Sequence, residues 1–219
     1  MKIRRFLAVA LVLCMSQLTH AVDINVKLSM PNSIVATAGQ TVTIPINLSN
    51  IQSAFSLDSF QLIVTYDNAF FDAPVTTGFK LGSLTTGLSY TGADNVDTIT
   101  SSLNILRSNF TNPLNLTSAS NGSLMTFDIK VKSSAAAGTS GYLNFVATQG
   151  AANTEILTIS GDPGDPDNIR FNPALTDVAN QGRVSILPVP EPSTYVMSVI
   201  AFIVLAGFVN RGKQQVVLG

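Results

Sequence analysis

Apolar residues occupy every second position in several short stretches between residues 22 and 187. The pattern is clearest in 41–48, 60–66 and 124–131. A period of two is typical of a β-strand with one buried face. Weaker stretches of the same kind predict strands at 24–28, 96–101, 142–147, 155–159 and 183–187. Because no helical apolar period persists in this region, we predict an all-β chain. Many short strands separated by turn residues indicate a β-sandwich.

Pro45 constrains where the strand at 41–48 can lie in a sheet. It falls on the polar phase of the alternation. Proline has no N–H group to donate to a neighbouring strand. We therefore expect Pro45 to face solvent, at a sheet edge or beside a bulge.

The first 21 residues have the pattern of a secretory signal peptide. Three basic residues, Lys2, Arg4 and Arg5, precede an apolar stretch at 6–15, and the small residue Ala21 follows it. This order of a basic start, a short apolar stretch and a small residue predicts a signal peptide over 1–21, cleaved after Ala21. The residues that follow are then expected outside the cytoplasm.

Cleavage after Ala21 would remove the side chains on which much enzyme chemistry depends. Cys14 and His20 are the single cysteine and the single histidine of the chain. Without them the mature protein has no thiolate nucleophile, disulfide, Ser-His-Asp triad or zinc site built on Cys or His. The two glutamates, Glu155 and Glu191, are far apart in sequence, and the aspartates are scattered. We predict that the protein is not an enzyme.

The charge of the central region argues against a nucleic-acid partner. Between residues 22 and 190 there are twelve acidic and seven basic side chains. A nucleic-acid-binding surface needs a basic stripe or patch, and the sequence has none.

The C-terminal segment, 188–219, combines a proline motif, an apolar run and basic residues in that order. The motif consists of Val189, Pro190, Glu191, Pro192, Ser193 and Thr194. Prolines two residues apart hold the backbone extended and accessible. An uncharged run follows and predicts a transmembrane helix over about 193–210, close to the lower limit of roughly 17 residues for a span. Arg211 and Lys213 would remain on the cytoplasmic side.

This arrangement resembles the PEP-CTERM sorting signal of bacterial envelope proteins. The resemblance implies recognition by an exosortase-type membrane enzyme. It also implies export, anchoring in the inner membrane by the C-terminal helix before processing, and then a place at the cell surface or outside the cell. The family usually ends in a denser arginine cluster, whereas Gln214 to Gly219 form a mild tail here. The alternative is an ordinary single-span anchor, in which the prolines only end a linker.

The central region is similar to a cohesin domain. The similarity rests on 38–50, 60–67, 122–131 and 137–140. It implies a jelly-roll sandwich of about nine strands over 22–187 that serves protein–protein or structural interactions. The segment between Phe70 and Pro113 is rich in predicted loops and follows the pattern poorly, so the similarity assigns no binding face.

A carbohydrate- or polysaccharide-binding module remains the alternative for the central region. Tyr90, Phe79 and Phe110 could form a sugar-stacking platform, but aromatic residues of a sandwich more often lie in its core. An exposed row of aromatics would favour sugar as the ligand, and a flat polar strand face would favour protein.

Two groups of acidic residues are candidate cation sites. Asp162, Asp165, Asp167 and Asn168 lie in a loop rich in Pro and Gly and could supply oxygen ligands to calcium. Their spacing is not that of an EF-hand, and a solvated acidic turn is the interpretation we favour. Asp94 and Asp97 form a weaker group, which we interpret as plain surface. No other cofactor is predicted.

Overall fold

The computed structural model describes residues 24–108, 113–149, 152–157, 169–188 and 199–203. These residues form sixteen strands, of which nine have four residues or fewer. The strands are β1 (Ile24–Ser29), β2 (Ile34–Ala36), β3 (Thr41–Ser49), β4 (Phe55–Leu57), β5 (Ser59–Tyr66), β6 (Lys80–Leu81), β7 (Asp94–Asp97), β8 (Ser102–Ser108), β9 (Leu114–Leu116), β10 (Gly122–Lys130), β11 (Ser140–Phe145), β12 (Thr148–Gln149), β13 (Ala152–Asn153), β14 (Glu155–Leu157), β15 (Ile169–Phe171) and β16 (Gly182–Ile186). The prediction of an all-β chain is confirmed, although the strands outnumber the nine expected because many are very short.

Two sheets form the sandwich. The first sheet has the order β15-β1-β3-β10-β6, and the second has the order β2-β16-β11-β5-β8-β7, with β14 also paired to β5. The pairs β1–β15 and β2–β16 are parallel, and the other pairs within these sheets are antiparallel. The pairs β4–β9 and β12–β13 form two small additional sheets.

The core lies between the inward faces of the two sheets, as the alternation predicts. Ile44 and Ile46 of β3 are fully buried, and so are Leu62 and Val64 of β5. Pro45 lies where β3 pairs with β10 alone, because the pairing with β1 covers only Asn47 to Ser49. A register shift in β10, between Ser123 and Met125, is next to it. The expectation of an edge or a bulge at Pro45 is confirmed.

The strand predicted at 96–101 has the wrong bounds, since β7 is Asp94–Asp97 and only residues 96 and 97 of the prediction are in it. The chain turns at 98–101 and joins β7 to β8 in a hairpin. The carboxylate of Asp97 accepts hydrogen bonds from the Ile99 N–H (2.8 Å) and from the Thr100 hydroxyl (2.7 Å), and Ser101 adopts a φ of 52°. These local contacts favour a turn over the extended backbone. The second strand of the hairpin is β8, which lies in the region where the sequence predicted loops.

The chain termini fall largely outside the described residues. The predicted signal peptide lies there, and so does the proline motif from Val189 to Thr194 with Arg211 and Lys213. Of the predicted transmembrane helix, residues 199–203 are described and are helical. Within the described part of the chain, no helix is long and apolar enough to cross a membrane.

Candidate functional site

The outer face of the second sheet carries mostly uncharged side chains. Outward positions alternate with core positions along β5, β8, β11 and β16, so the residues between core positions point away from the sandwich. The residues of this face are Gln61, Thr65, Asn95, Asn104, Leu106, Tyr142, Asn144, Glu155, Arg183 and Ser185. We call this set the outer face.

Two large side chains stand out from the amides and hydroxyls of the outer face. Leu106 is 38% exposed and Tyr142 is 48% exposed. The guanidinium of Arg183 lies 5.8 Å from the centre of the Tyr142 ring and donates a hydrogen bond to the Ser140 hydroxyl (3.0 Å). Arg183 and Tyr142 therefore hold each other in place by a cation–π contact.

The outer face is long. Tyr142 lies on β11 and Leu106 on β8, on opposite sides of β5. Leu106 is opposite Gln61, and the N–H of Asp67 donates to the Tyr142 carbonyl (3.1 Å). The six residue steps from Gln61 to Asp67 correspond to roughly 20 Å along a strand. Leu106 and Tyr142 are therefore too far apart to contact one small ligand together.

Part of the outer face is covered by the chain itself. Ile63 is on the outward phase of β5, yet it is fully buried and is not a member of the central core. Its N–H donates to the Thr154 hydroxyl (3.0 Å), and its carbonyl accepts from the Val146 N–H (3.0 Å). Thr154 and Val146 belong to the excursion between β11 and β14. This excursion is therefore fixed to β5 at Ile63, between the two ends of the face.

The outward face of the first sheet differs because it carries charges that pair with one another. Lys80 lies 3.5 Å from Asp128, which also accepts a hydrogen bond from the Thr43 hydroxyl (2.5 Å). Lys130 lies 3.7 Å from Asp72. Charged residues are depleted in the centres of protein interfaces, whereas aromatic residues and arginine are enriched. The outer face of the second sheet is thus the better candidate for binding.

The proposed aromatic platform does not form from Phe79 and Tyr90. Phe79 is 8% exposed and contacts Phe127 edge-on, with ring centres 6.1 Å apart. Tyr90 packs against Phe60 at 5.9 Å, and Phe110 is outside the described residues. Two members of the platform therefore belong to the core or pack onto it.

Asp94 is not plain surface, contrary to the sequence interpretation. Its carboxylate accepts hydrogen bonds from both terminal nitrogens of Arg107, one of them at 2.7 Å. The Arg107 and Asp94 side chains are only 12% and 14% exposed. Asp97 is half-buried and caps the hairpin turn, and the hydrogen bonds that it accepts from Thr100 and Ile99 lower the pKa of its carboxyl. Sequence reasoning missed Arg107 because its partner is on another strand.

The predicted calcium ligands Asp162, Asp165, Asp167 and Asn168 lie outside the described residues. Among the residues that the structure does describe, no group of three or more His, Cys, Asp or Glu side chains could hold a metal ion.

The fold and the outer face define the class of the protein as a two-sheet β-sandwich module. The family model of the cohesin domain matches residues 26–162, which is more than half of the 219 residues. The chain belongs to the cohesin-domain family. No curated protein sequence matches the chain.

Solved cohesins share the fold at low sequence identity. The cohesin of a type I cohesin–dockerin complex from Clostridium thermocellum is 15% identical, with a TM-score of 0.52 over 74% of this chain and 99% of that one. A type I cohesin from Pseudobacteroides cellulosolvens is 15% identical, with a TM-score of 0.56 over 76% and 95%. A cohesin from Acetivibrio cellulolyticus, solved with a dockerin, is 16% identical, with a TM-score of 0.54 over 74% and 99%.

Proposed function

We propose that this chain is a non-enzymatic, exported envelope protein whose cohesin domain binds a protein partner through the outer face. The observation that carries the proposal is the contrast between the two sheets. The outer face has exposed Leu106 and Tyr142, with the Arg183 guanidinium over the tyrosine ring. On the first sheet, Lys80 and Lys130 are already in ion pairs with aspartates. Two of the similar cohesins were solved in complexes with dockerins, which supports a protein as the partner.

The distribution of aromatic residues favours protein over polysaccharide. Sugar-binding surfaces stack their ligands on exposed rings, and Tyr142 is the one aromatic residue among those assigned to the outer face. Amides and hydroxyls surround it, and these groups form hydrogen bonds with a polypeptide as well as with water. Arginine and tyrosine are both enriched among the few residues that supply most of the binding energy at protein interfaces.

Site-specific photo-crosslinking in the source organism tests this proposal. A photoreactive residue at Leu106 or Tyr142 should crosslink one defined protein, identified by mass spectrometry. The same residue at exposed Thr41, on the first sheet, should not. Leu106→Asp and Tyr142→Ala should each weaken binding of the identified protein by about tenfold or more, since truncating an interface anchor costs roughly 1–2 kcal/mol or more. Thr41→Asp is the matched control and should bind as the parent does.

Two results would contradict the proposed partner or face. Crosslinking from Thr41 alone would move the interface to the first sheet. Crosslinks to polysaccharide rather than protein, lost in Tyr142→Ala, would favour the carbohydrate-binding alternative.

We further propose that the C-terminal segment is a sorting signal read by an exosortase-type enzyme. Supporting it are the extended Pro190-Glu191-Pro192 motif, the uncharged run behind it and the basic residues Arg211 and Lys213. The order of these features, together with a signal peptide at 1–21, gives an exported domain anchored in the inner membrane until processing. The processed domain would then remain at the cell surface or outside the cell.

Mass spectrometry of the mature C-terminus tests the sorting proposal in a host that has the enzyme. The parent should be trimmed near the motif. Replacement of Pro190, Glu191 and Pro192 by Ala should leave a full-length, membrane-bound form, because the enzyme loses the extended segment while the apolar run is intact. Pro188→Ala is the control, since it removes a nearby proline outside the motif. If the parent keeps Arg211 and Lys213, the motif is only a linker.

A further inference from the structure

An apolar groove lies at the edge of the second sheet, where the chain leaves the domain. β2 and β16 pair in parallel there, and a groove of about 430 Å³ opens beside their C-terminal ends. Four of its nine wall residues are alanines, whose small side chains leave the groove open, and none of the nine is charged. Val35 and Leu187, also on the wall, are 53% and 62% exposed. Exposed apolar surface grouped in this way is typical of an interaction site.

Hydrogen bonds hold both walls of the groove in place. On one wall, the Thr37 N–H donates to the side-chain oxygen of Gln40 (2.9 Å) and so fixes the turn after β2. On the other wall, the Gly138 N–H donates to the Ile186 carbonyl (2.9 Å), and the Ile186 N–H donates to the Thr139 carbonyl (2.9 Å). The groove is therefore formed in the free domain. A preformed surface lowers the cost of ordering that a partner would otherwise have to offset on binding.

The groove is next to the proposed sorting motif along the chain. Leu187 is a wall residue, and the motif begins at Val189, two residues later. An extended chain covers at most about 3.6 Å per residue, so Pro190 can be no farther than about 11 Å from Leu187. A protein interface of standard size covers about 800 Å² of each partner, a patch of about 16 Å radius. An enzyme that closes over the motif therefore comes within contact distance of the groove.

We propose that the groove is a docking surface for the enzyme that reads the sorting motif. This inference rests on the sorting signal proposed above, and it makes recognition depend on the folded domain as well as on the motif. The groove takes an apolar side chain of the enzyme, because its walls offer methyl groups and no charge. The predicted membrane span begins at about residue 193, six residues after Leu187, which keeps the groove within roughly 20 Å of the membrane that holds the enzyme. Two contacts joined by so short a connection strengthen each other through effective concentration.

The rate of C-terminal trimming tests the proposal in a host that has the sorting enzyme. Val35→Asp places a charge on the groove and leaves the motif unchanged. Trimming of this variant, followed by mass spectrometry, should be about tenfold slower or more, the effect of losing one interface anchor. Val178→Asp is the matched control and should be trimmed at the parent rate, because Val178 is 78% exposed but precedes β16, away from the groove. Equal Tm values for the two variants would show that neither change acts through unfolding.

Photo-crosslinking of the full-length protein identifies the occupant directly. Ala38 is an exposed residue of the groove wall. A photoreactive residue at this position should crosslink to the sorting enzyme, and the same residue at Val178 should not. The crosslink should weaken when Pro190, Glu191 and Pro192 are changed to Ala, since the enzyme then loses the second contact that holds it at the groove.

The possible failures can be told apart. If the parent protein is not trimmed at all, the proposed sorting signal fails, and the docking surface fails with it. If the parent is trimmed and Val35→Asp is trimmed equally fast, the sorting signal stands and the groove takes no part in its recognition. Crosslinks from Ala38 to lipid or to a second copy of this chain, with none to the enzyme, would likewise overturn the proposal.

Discussion

The ion pair between Arg107 and Asp94 joins β7 to β8 on the inward side of the second sheet. Arg107 follows Leu103 and Ile105 on the inward phase of β8, and both of these are fully buried. The guanidinium contacts both oxygens of Asp94, with side chains 12% and 14% exposed. We predict that Arg107→Met destabilises the domain by leaving the Asp94 carboxylate desolvated and unpaired.

The exposure of the two side chains sets the size of the effect. Exposed ion pairs contribute about 0.2–1 kcal/mol, whereas removing one partner of a buried pair costs about 3–5 kcal/mol. A pair that is nearly buried lies toward the upper range, so the expected cost of Arg107→Met is about 2–4 kcal/mol. For a domain of this size, each kcal/mol lowers Tm by about 2–4 °C.

A double-mutant cycle measured by urea unfolding separates the pair from other effects. Asp94→Leu alone should also destabilise, because it leaves the guanidinium unpaired. The double variant Asp94→Leu/Arg107→Met should lose less than the sum of the two, since two apolar side chains leave no buried charge. Lys130→Met is the control: its pair with Asp72 has side chains 50% and 45% exposed, and its loss should cost below about 1 kcal/mol.

The reasoning would be refuted by either of two measurements. One is a cost for Arg107→Met as small as that for Lys130→Met. The other is strict additivity in the cycle, which would mean that the two charges do not interact.

Two further predictions concern local backbone structure. Gly141→Ala should destabilise the domain by about 1–3 kcal/mol through overpacking, because an added Cβ would lie 2.3 Å from Cδ1 of Phe70. Gly138→Ala has open space around the new Cβ but a φ of +80°, so it should cost only the backbone strain of about 1–2 kcal/mol. Urea unfolding measures both costs, and equal m-values would show that the two variants fold alike. Asp97→Ala should lower Tm at pH 7. The hydrogen bonds lower the pKa of the Asp97 carboxyl in the folded protein below 3.8, so its stabilisation is present above pH 3.8 and is lost in acid. The Tm difference between the parent and the variant should therefore vanish as the pH falls through the folded-state pKa. A Tm difference that stays constant between neutral and strongly acidic pH would contradict this role for Asp97.

The amino-acid sequence by itself determined the β class and the inward residues of the long strands. Alternation is a local property, because successive side chains of a strand point to opposite faces whatever the strand pairs with. For this reason Ile44, Ile46 and Leu62 are buried as predicted, and Pro45 lies beside a bulge. Sequence resemblance also identified the cohesin domain, which the family match confirms.

Only the tertiary structure decided which residues meet across strands. Arg107 and Asp94 are thirteen positions apart, and their pairing required the hairpin whose turn the sequence pattern missed. The interpretation that such aromatic residues belong to the core is confirmed for Phe79, and Tyr90 packs against the core. Their partners, Phe127 and Phe60, lie on distant strands and could be identified only from the fold. The outer face likewise contains β16 and β5, which pair with opposite sides of β11 although they are more than a hundred residues apart in sequence. Local periodicity fixes the direction of a side chain along its own strand, but its neighbours depend on pairing between distant segments.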